Sequence, residues 1–290
     1  MTSTDPPTFL SSLLGRYKNS AEQSRPFVTL TFAQSLDAKI AGRGGKQLIL
    51  SGKESMVMTH WMRTMHDGIL IGIGTALNDD PQLNGTSFEC KGIVKPDQTY
   101  LARHLPANDS VPSTDGHNHP YSLPRPIILD TNLRFSSHSK LLKNYAEGKG
   151  RRPWLICAEP WDSSEKKEWL HRRTTLEKAG ARTIVLENDH NTQDHLPIPS
   201  VLQTLHRLGI LSVMVEGGAQ IIRSFLSQIA AESTSSFVDT MIITVAPVFV
   251  GEDGISYNTV SGSASKMKHA STAMFGQDTV VGLIPTESVA

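Results

Sequence analysis

The stretch Val213-Met-Val-Glu-Gly-Gly-Ala-Gln-Ile-Ile-Arg223 decides how the rest of the chain is read. It begins as an apolar run of strand character, is broken by Glu216 and two glycines, and resumes with apolar residues at helical spacing. A strand turning directly into a helix is the repeating unit of an α/β fold. In such folds ligands bind beyond the carboxyl ends of the strands, where helix N-termini present unpaired N–H groups and partial positive charge. Gly217 and Gly218 have no Cβ, so a phosphate can come close to the backbone. The same pair also suits a tight turn with no ligand, and the stretch alone leaves both readings open.

Working outward, apolar runs at 26–33, 67–73, 126–130, 154–157, 182–186 and 211–215 predict strands. Helices are predicted at 51–66, opened by the capping box Ser51-Gly-Lys-Glu54, at 164–178 and at 199–208. This alternation implies parallel strands joined by crossover helices. Two further strands, 238–246 and 278–284, have no clear helix between them and predict antiparallel pairing at the end of a mixed sheet. The segment 85–124 is rich in Gly, Pro, Asp, Asn and His, shows no period, and reads as a surface insertion. The expectation is an N-terminal extension over 1–25 and one α/β domain over 26–290, its sheet mostly parallel, with helices on both faces.

Composition fits this. The chain has 290 residues, 38% hydrophobic and 19% charged, enough for a sizeable core. Lys and Arg total 28 and so do Asp and Glu, so no global field draws nucleic acid or an anionic membrane, and a small-molecule site is expected. Cys90 and Cys157 stand far apart without ligand-spaced neighbours, which argues against a disulfide framework or structural zinc and for free thiols. No signal-like N-terminus and no apolar run near the roughly 20 residues of a membrane span are present, so a cytoplasmic protein is expected. The sequons at Asn84 and Asn108 are then chance matches. The pair His117 and His119 falls in the insertion, where solvated side chains are expected and no metal site.

A second corner, Asp67-Gly-Ile-Leu-Ile-Gly-Ile-Gly-Thr-Ala-Leu-Asn-Asp-Asp-Pro-Gln-Leu83, also ends a strand in glycines. It is not a Rossmann fingerprint, because Gly72 and Gly74 lack the third small residue and no βαβ unit of the right length follows. Thr75 and Asp79 belong either to an ordinary turn, with Asp79 or Asp80 capping and Pro81 stopping the chain, or to a cofactor amide or ribose.

Five stretches in order, Ser35-Leu-Asp-Ala-Lys-Ile-Ala41, Ile69 to Leu83, Arg125-Pro-Ile-Ile-Leu-Asp130, Val215-Glu-Gly-Gly-Ala219 and Val238-Asp-Thr-Met with Ala246-Pro-Val-Phe-Val-Gly251, resemble the reductase of riboflavin biosynthesis. The resemblance spans roughly 26–285 apart from the insertion. It implies a dihydrofolate-reductase-like fold and NADPH-dependent reduction of the ribosylamino group of a pyrimidinone 5′-phosphate to ribitylamino. The chain lacks the His-x-Glu and Pro-Cys-x-x-Cys elements of a fused zinc deaminase, as in the stand-alone fungal and archaeal form that acts on the diamino substrate. The resemblance further implies that Thr75, Asp79, Gly217, Gly218, Ala219 and Gln220 contact NADPH, with Thr131 and Val185 or Leu186 as further cofactor candidates. On the substrate it implies Arg63 and Glu216, with Asp37, Lys39 and Leu83 along the same cleft. Fork-shaped Arg63 suits a phosphate, although a solvated helix arginine has the same spacing.

Hydride transfer to an imine carbon needs alignment and modest electrostatics rather than a nucleophile, which agrees with the absence of a Ser-His-Asp or Cys-His set. Lys39 or Glu216 is the candidate proton donor. Two residues depart from the family pattern, Ala38 where glycine is frequent and Gln47 where a small polar residue is. Other readings are a reductase of another pteridine-like substrate or a nonenzymatic NADPH-binding regulator. A homodimer is expected, because the apolar strands at 241–250 and 279–284 would leave an uncovered edge or face in a monomer.

Overall fold

A computed structural model of the chain describes residues 6–15, 24–83, 123–187, 196–230, 237–257 and 267–286. Nearly all of the predicted insertion lies outside them, and with it Asn84, Cys90, Asn108, His117 and His119. Nine strands form one sheet: β1 (Phe27–Gln34), β2 (Gly68–Gly72), β3 (Arg125–Leu129), β4 (Trp154–Ala158), β5 (Arg182–Leu186), β6 (Ser212–Gly217), β7 (Thr240–Val245), β8 (Met267–Phe275) and β9 (Asp278–Pro285). Their order is β5-β4-β3-β2-β6-β1-β7-β9-β8. All pairs from β5 across to β7 are parallel, and β9 runs antiparallel to both β7 and β8. The helices are α1 (Thr8–Leu14), α2 (Lys53–Thr64), α3 (Ile73–Asp79), α4 (Lys140–Ala146), α5 (Ser163–Lys178), α6 (Ile198–Arg207) and α7 (Ala219–Ala230).

Every residue of β2, β3 and β4 is buried, as expected of parallel strands covered on both faces. The period of two sorts their side chains between two cores. Ile69 and Ile71 join Met58, Trp61 and Met62 of α2 and Trp169 of α5 on one face, while Leu70 joins Val201 and Leu205 of α6 and Phe225 of α7 on the other. Each such side chain contributes about 1.5–3 kcal/mol by leaving water.

Several local features differ from the sequence-based expectation. The predicted capping box does not form: Gly52 is the N-cap of α2, and the Asp278 carboxylate accepts its N–H at 2.6 Å together with the Ser55 hydroxyl. A carboxylate from β9 thus takes the place of the local cap. The stretch after β2 is helical as α3, and α4 and β8 were not foreseen. Helix α1, in the expected N-terminal extension, buries Phe9, Leu10, Leu13 and Leu14 in the first core. Leu13 needs the bare Gly282, where a Cβ would stand 2.5 Å from Leu13 Cδ1, and Phe9 meets Phe275 edge-on at 5.9 Å. The strands expected to be uncovered are not at an edge: β7 lies between β1 and β9, and β9 between β7 and β8. The edge on that side is β8, largely exposed. Among the described residues no helix is long and apolar enough to cross a membrane.

Candidate active site

The sheet puts the two glycine corners side by side, because β6 pairs with β2. Leu70 opposes Val215 but Ile71 opposes Gly217, so Glu216 is an extra residue in the ladder. Such a bulge re-aims a side chain. Glu216 lines a cavity of about 840 Å³ at the carboxyl ends of β1, β2, β3 and β6. Its carboxylate is held by Arg63, which reaches across from the last turn of α2: Nε donates to Oε1 at 2.6 Å and Nη2 to Oε2 at 2.8 Å. Burial works against the Arg63 charge, and the adjoining Glu216 carboxylate outweighs it and raises the guanidinium's affinity for its proton.

After Glu216 the chain turns through Gly217, at φ +103°, and the Gly217–Gly218 peptide is cis. Helix α7 then begins, with Gly218, Ala219 and Gln220 on the cavity wall. The corners interlock. A Cβ on Gly218 would stand 2.9 Å from Thr75 Oγ1, and one on Gly72 would stand 2.8 Å from Ile221 Cγ1. The glycines therefore serve close packing between corners as well as an open approach to α7. Gly74, also on the wall, has nothing within 4 Å of its missing Cβ.

Across the cavity, β3 ends at the buried Asp130, whose Oδ2 accepts the Phe135 N–H at 2.8 Å. Burial pushes this carboxyl above its usual range, against the pull of the Arg134 and Phe135 N–H groups. The turn so held presents Thr131, Asn132 and Arg134 to the cavity. Burial likewise raises the Asp79 carboxyl.

Of the residues picked out from sequence, the cavity brings together Thr75, Asp79, Thr131, Glu216, Gly218, Ala219 and Gln220. Gly217 is buried behind it, and Arg63 is joined to it through Glu216. Gln47 also lines it. Val185 and Leu186 end the outermost strand β5, away from the cavity wall, with Leu186 in the second core. Leu83 is 2% exposed, belongs to the first core and is not on the cavity wall. Asp37 and Lys39 are not part of the wall, which this segment joins at Ile40 and Ala41. Sequence reasoning missed Asn78, Asn132, Arg134, Arg223 and Ile255, which only the topology gathers; Arg134 alone carried a signal, a cation four residues past a strand-ending Asp.

The wall suits a nicotinamide dinucleotide. The volume lies in the range of ligand sites, the first turn of α7 is open beside a residue without a side chain, and Arg134 and Arg223 supply positive charge for phosphates.

Residues 26–281 match the RibD C-terminal domain family. The chain is 36% identical over 248 residues to the 2,5-diamino-6-ribosylamino-4(3H)-pyrimidinone 5′-phosphate reductase of Debaryomyces hansenii, covering 85% of each. It is 35% identical over 254 residues to the reductase of that name from Candida glabrata, covering 87% of this chain and 86% of the other. Among solved structures it resembles the riboflavin biosynthesis reductase Rib7 of Saccharomyces cerevisiae, with a TM-score of 0.64 at 25% identity over 96% of this chain and 98% of that one.

Proposed function

Because the chain belongs to the RibD C-terminal domain family, we propose that it reduces 2,5-diamino-6-ribosylamino-4(3H)-pyrimidinone 5′-phosphate to the ribitylamino compound with NADPH. The observation that carries this reading is the bulge at Glu216, which puts a carboxylate and the Gly218-Ala219-Gln220 corner into one cavity from a single strand end. That juxtaposition is what a reaction between a bound dinucleotide and a second ligand requires.

Gly218, Ala219 and Gln220 would hold the pyrophosphate at the start of α7, with Gly217 shaping the turn behind them, Thr75, Asp79 and Thr131 along the rest of the dinucleotide and Arg134 or Arg223 meeting its further phosphate. When bound, the nicotinamide supplies hydride to the sugar carbon, once the ribose ring has opened to an imine. Glu216, fixed by Arg63, faces the substrate and biases the developing cationic imine electrostatically, while Leu48, Leu50 and Ile255 keep the cavity wall apolar and limit water. The proton for the opened ring comes from Lys39 in this scheme, because Arg63 donates to both Glu216 oxygens and Glu216 serves as the anion facing the imine. Two further parts of the proposal are a homodimer, supported by the exposed Leu36, Val248 and Phe249, and a cytoplasmic location.

The test is to incubate the protein with NADPH and either the pyrimidinone phosphate or dihydrofolate and follow loss of the reduced nucleotide. Oxidation with the pyrimidinone alone is expected. Oxidation with dihydrofolate instead would assign a different pteridine-like substrate, and binding of NADPH without oxidation would make the protein a regulator.

A further inference from the structure

The cavity leaves the Asp37 carboxylate unused. It takes three hydrogen bonds, from Ser35 Oγ at 2.5 Å and from the N–H groups of Val250 and Gly251 at 3.0 and 2.7 Å. Those bonds bring the carboxyl down to about 2. Asp37 sits in a closed turn in which Ser35 N–H donates to Lys39 O at 2.9 Å and Lys39 N–H donates to Ser35 Oγ at 2.9 Å. The loop it grips is joined to the same segment farther on: Ile40 N–H donates to Ile255 O at 2.8 Å, and Ile255 N–H to Ala41 O at 2.9 Å. Ile40, Ala41 and Ile255 are cavity wall. Between these two attachments lies Gly254, where a Cβ would stand 2.8 Å from Lys39 Cγ and 2.8 Å from Val250 Cγ1. The stem of Lys39 therefore runs through a slot between turn and loop, and Asp37 closes one end of it.

We infer that Asp37 is a positioning residue that fixes Lys39 by latching the 248–255 loop onto the 35–39 turn, and is not a ligand of the substrate. Its effect on turnover rests on the proposed reductase reading; its effect on Lys39 does not. Asp37→Asn keeps the size but offers an amide to one of two N–H donors, so the latch opens. Gly254→Ala disturbs the slot from the other side, with no polar change.

The full chain is tested with Asp37→Asn, Gly254→Ala, Lys39→Met and the Asp37→Asn/Lys39→Met pair. With lysines carrying isotope-labelled methyl groups, the Lys39 signal, assigned by its loss in Lys39→Met, should move in Asp37→Asn and in Gly254→Ala while the other lysines stay. In turnover, Asp37→Asn should lower kcat about tenfold with KM within about threefold, and should change kcat less than about twofold in the Lys39→Met background. An unmoved Lys39 signal overturns the inference, as does a raised KM at unchanged kcat, or single effects that multiply in the pair. If Asp37→Asn does not fold, Gly254→Ala decides by the same signal. A moved signal in a protein that turns over no pyrimidinone phosphate upholds the latch and overturns the proposed function instead.

Discussion

Arg63 holds both carboxylate oxygens of Glu216, at 2.6 and 2.8 Å, and each side chain is only 16% exposed. A paired fork this dry is costly to break from one side, because the remaining charge keeps its desolvation penalty and loses its partner. Arg63→Ala should destabilise the fold by about 2–3 kcal/mol, less than a fully buried pair because some solvent reaches it. Urea unfolding reads this directly. Glu216→Gln should leave NADPH affinity within about threefold while kcat falls by about thirtyfold or more, the signature of an interaction that matters during reaction. Calorimetry beside steady-state kinetics separates the two, and equal losses in both would place Glu216 on the cofactor.

Gly218→Ala should weaken NADPH about tenfold or more, since the added Cβ lies 2.9 Å from Thr75 Oγ1 on the wall of the cavity. The double variant with Thr75→Ala, compared with Thr75→Ala alone, distinguishes a turn from a binding corner. Removing the hydroxyl relieves the collision, so the melting temperature should match that of Thr75→Ala while NADPH affinity stays well below that of Thr75→Ala. Equal affinity in the two would show that Gly218 serves packing alone.

Much of this layout was legible in the sequence, and the parts that were not have physical reasons. Strand β5 begins and ends where its apolar run does, and β2, β3 and β4 are continuous apolar runs because both faces are covered. Strand β8 was illegible because an edge strand with Lys268, His269 and Thr272 on exposed positions, and only residues such as Ala273 and Phe275 partly packed on the core, writes little of its burial into its sequence. The cap of α2 was misread because Ser51 offered a local motif, whereas the carboxylate that wins belongs to Asp278. In the site, Thr75 and the Gly217-Gly218 corner stood out as breaks in periodic runs. Asn78, Arg134, Arg223 and Ile255 did not, since each is an ordinary residue until the strand order brings it to the cavity. Asp37 was placed in the right neighbourhood, but a sequence does not tell whether a carboxylate faces a ligand or a loop.

His66 should make the fold sensitive to mild acid. It is 1% exposed; Nδ1 lies 2.8 Å from the Met62 carbonyl, which can only accept, so Nε2 is the acceptor for the Thr29 hydroxyl at 2.8 Å. Burial lowers its pKa from the ordinary 6.5, outweighing the opposing Met62 bond and the charges of Asp67 and Glu216. The folded form therefore binds its proton less readily than the unfolded one, so this contribution is complete above about 6.5 and is lost as pH falls below it, at up to roughly 1.4 kcal/mol per pH unit. Urea midpoints between neutral and mildly acidic pH should fall in the wild type and fall less steeply in His66→Gln. Parallel slopes would contradict this.

Ala38 stands at φ +57°, a left-handed conformation that a side chain disfavours. Ala38→Gly should stabilise the protein by about 1 kcal/mol with turnover unchanged, because the glycine adopts the same turn without the steric cost. A loss of stability would mean that the turn around Asp37 tolerates the methyl group better than its backbone angle indicates.

The central claim is that one cavity aligns a nicotinamide cofactor with the sugar of a pyrimidinone phosphate, and a single-turnover reaction with NADPH deuterated at the transferable position tests it most directly. Mass spectrometry of the product should show one deuterium in the newly formed ribityl chain for every NADPH consumed. Reduced product without deuterium, or NADPH consumed with the pyrimidinone phosphate intact, would contradict direct transfer within that cavity.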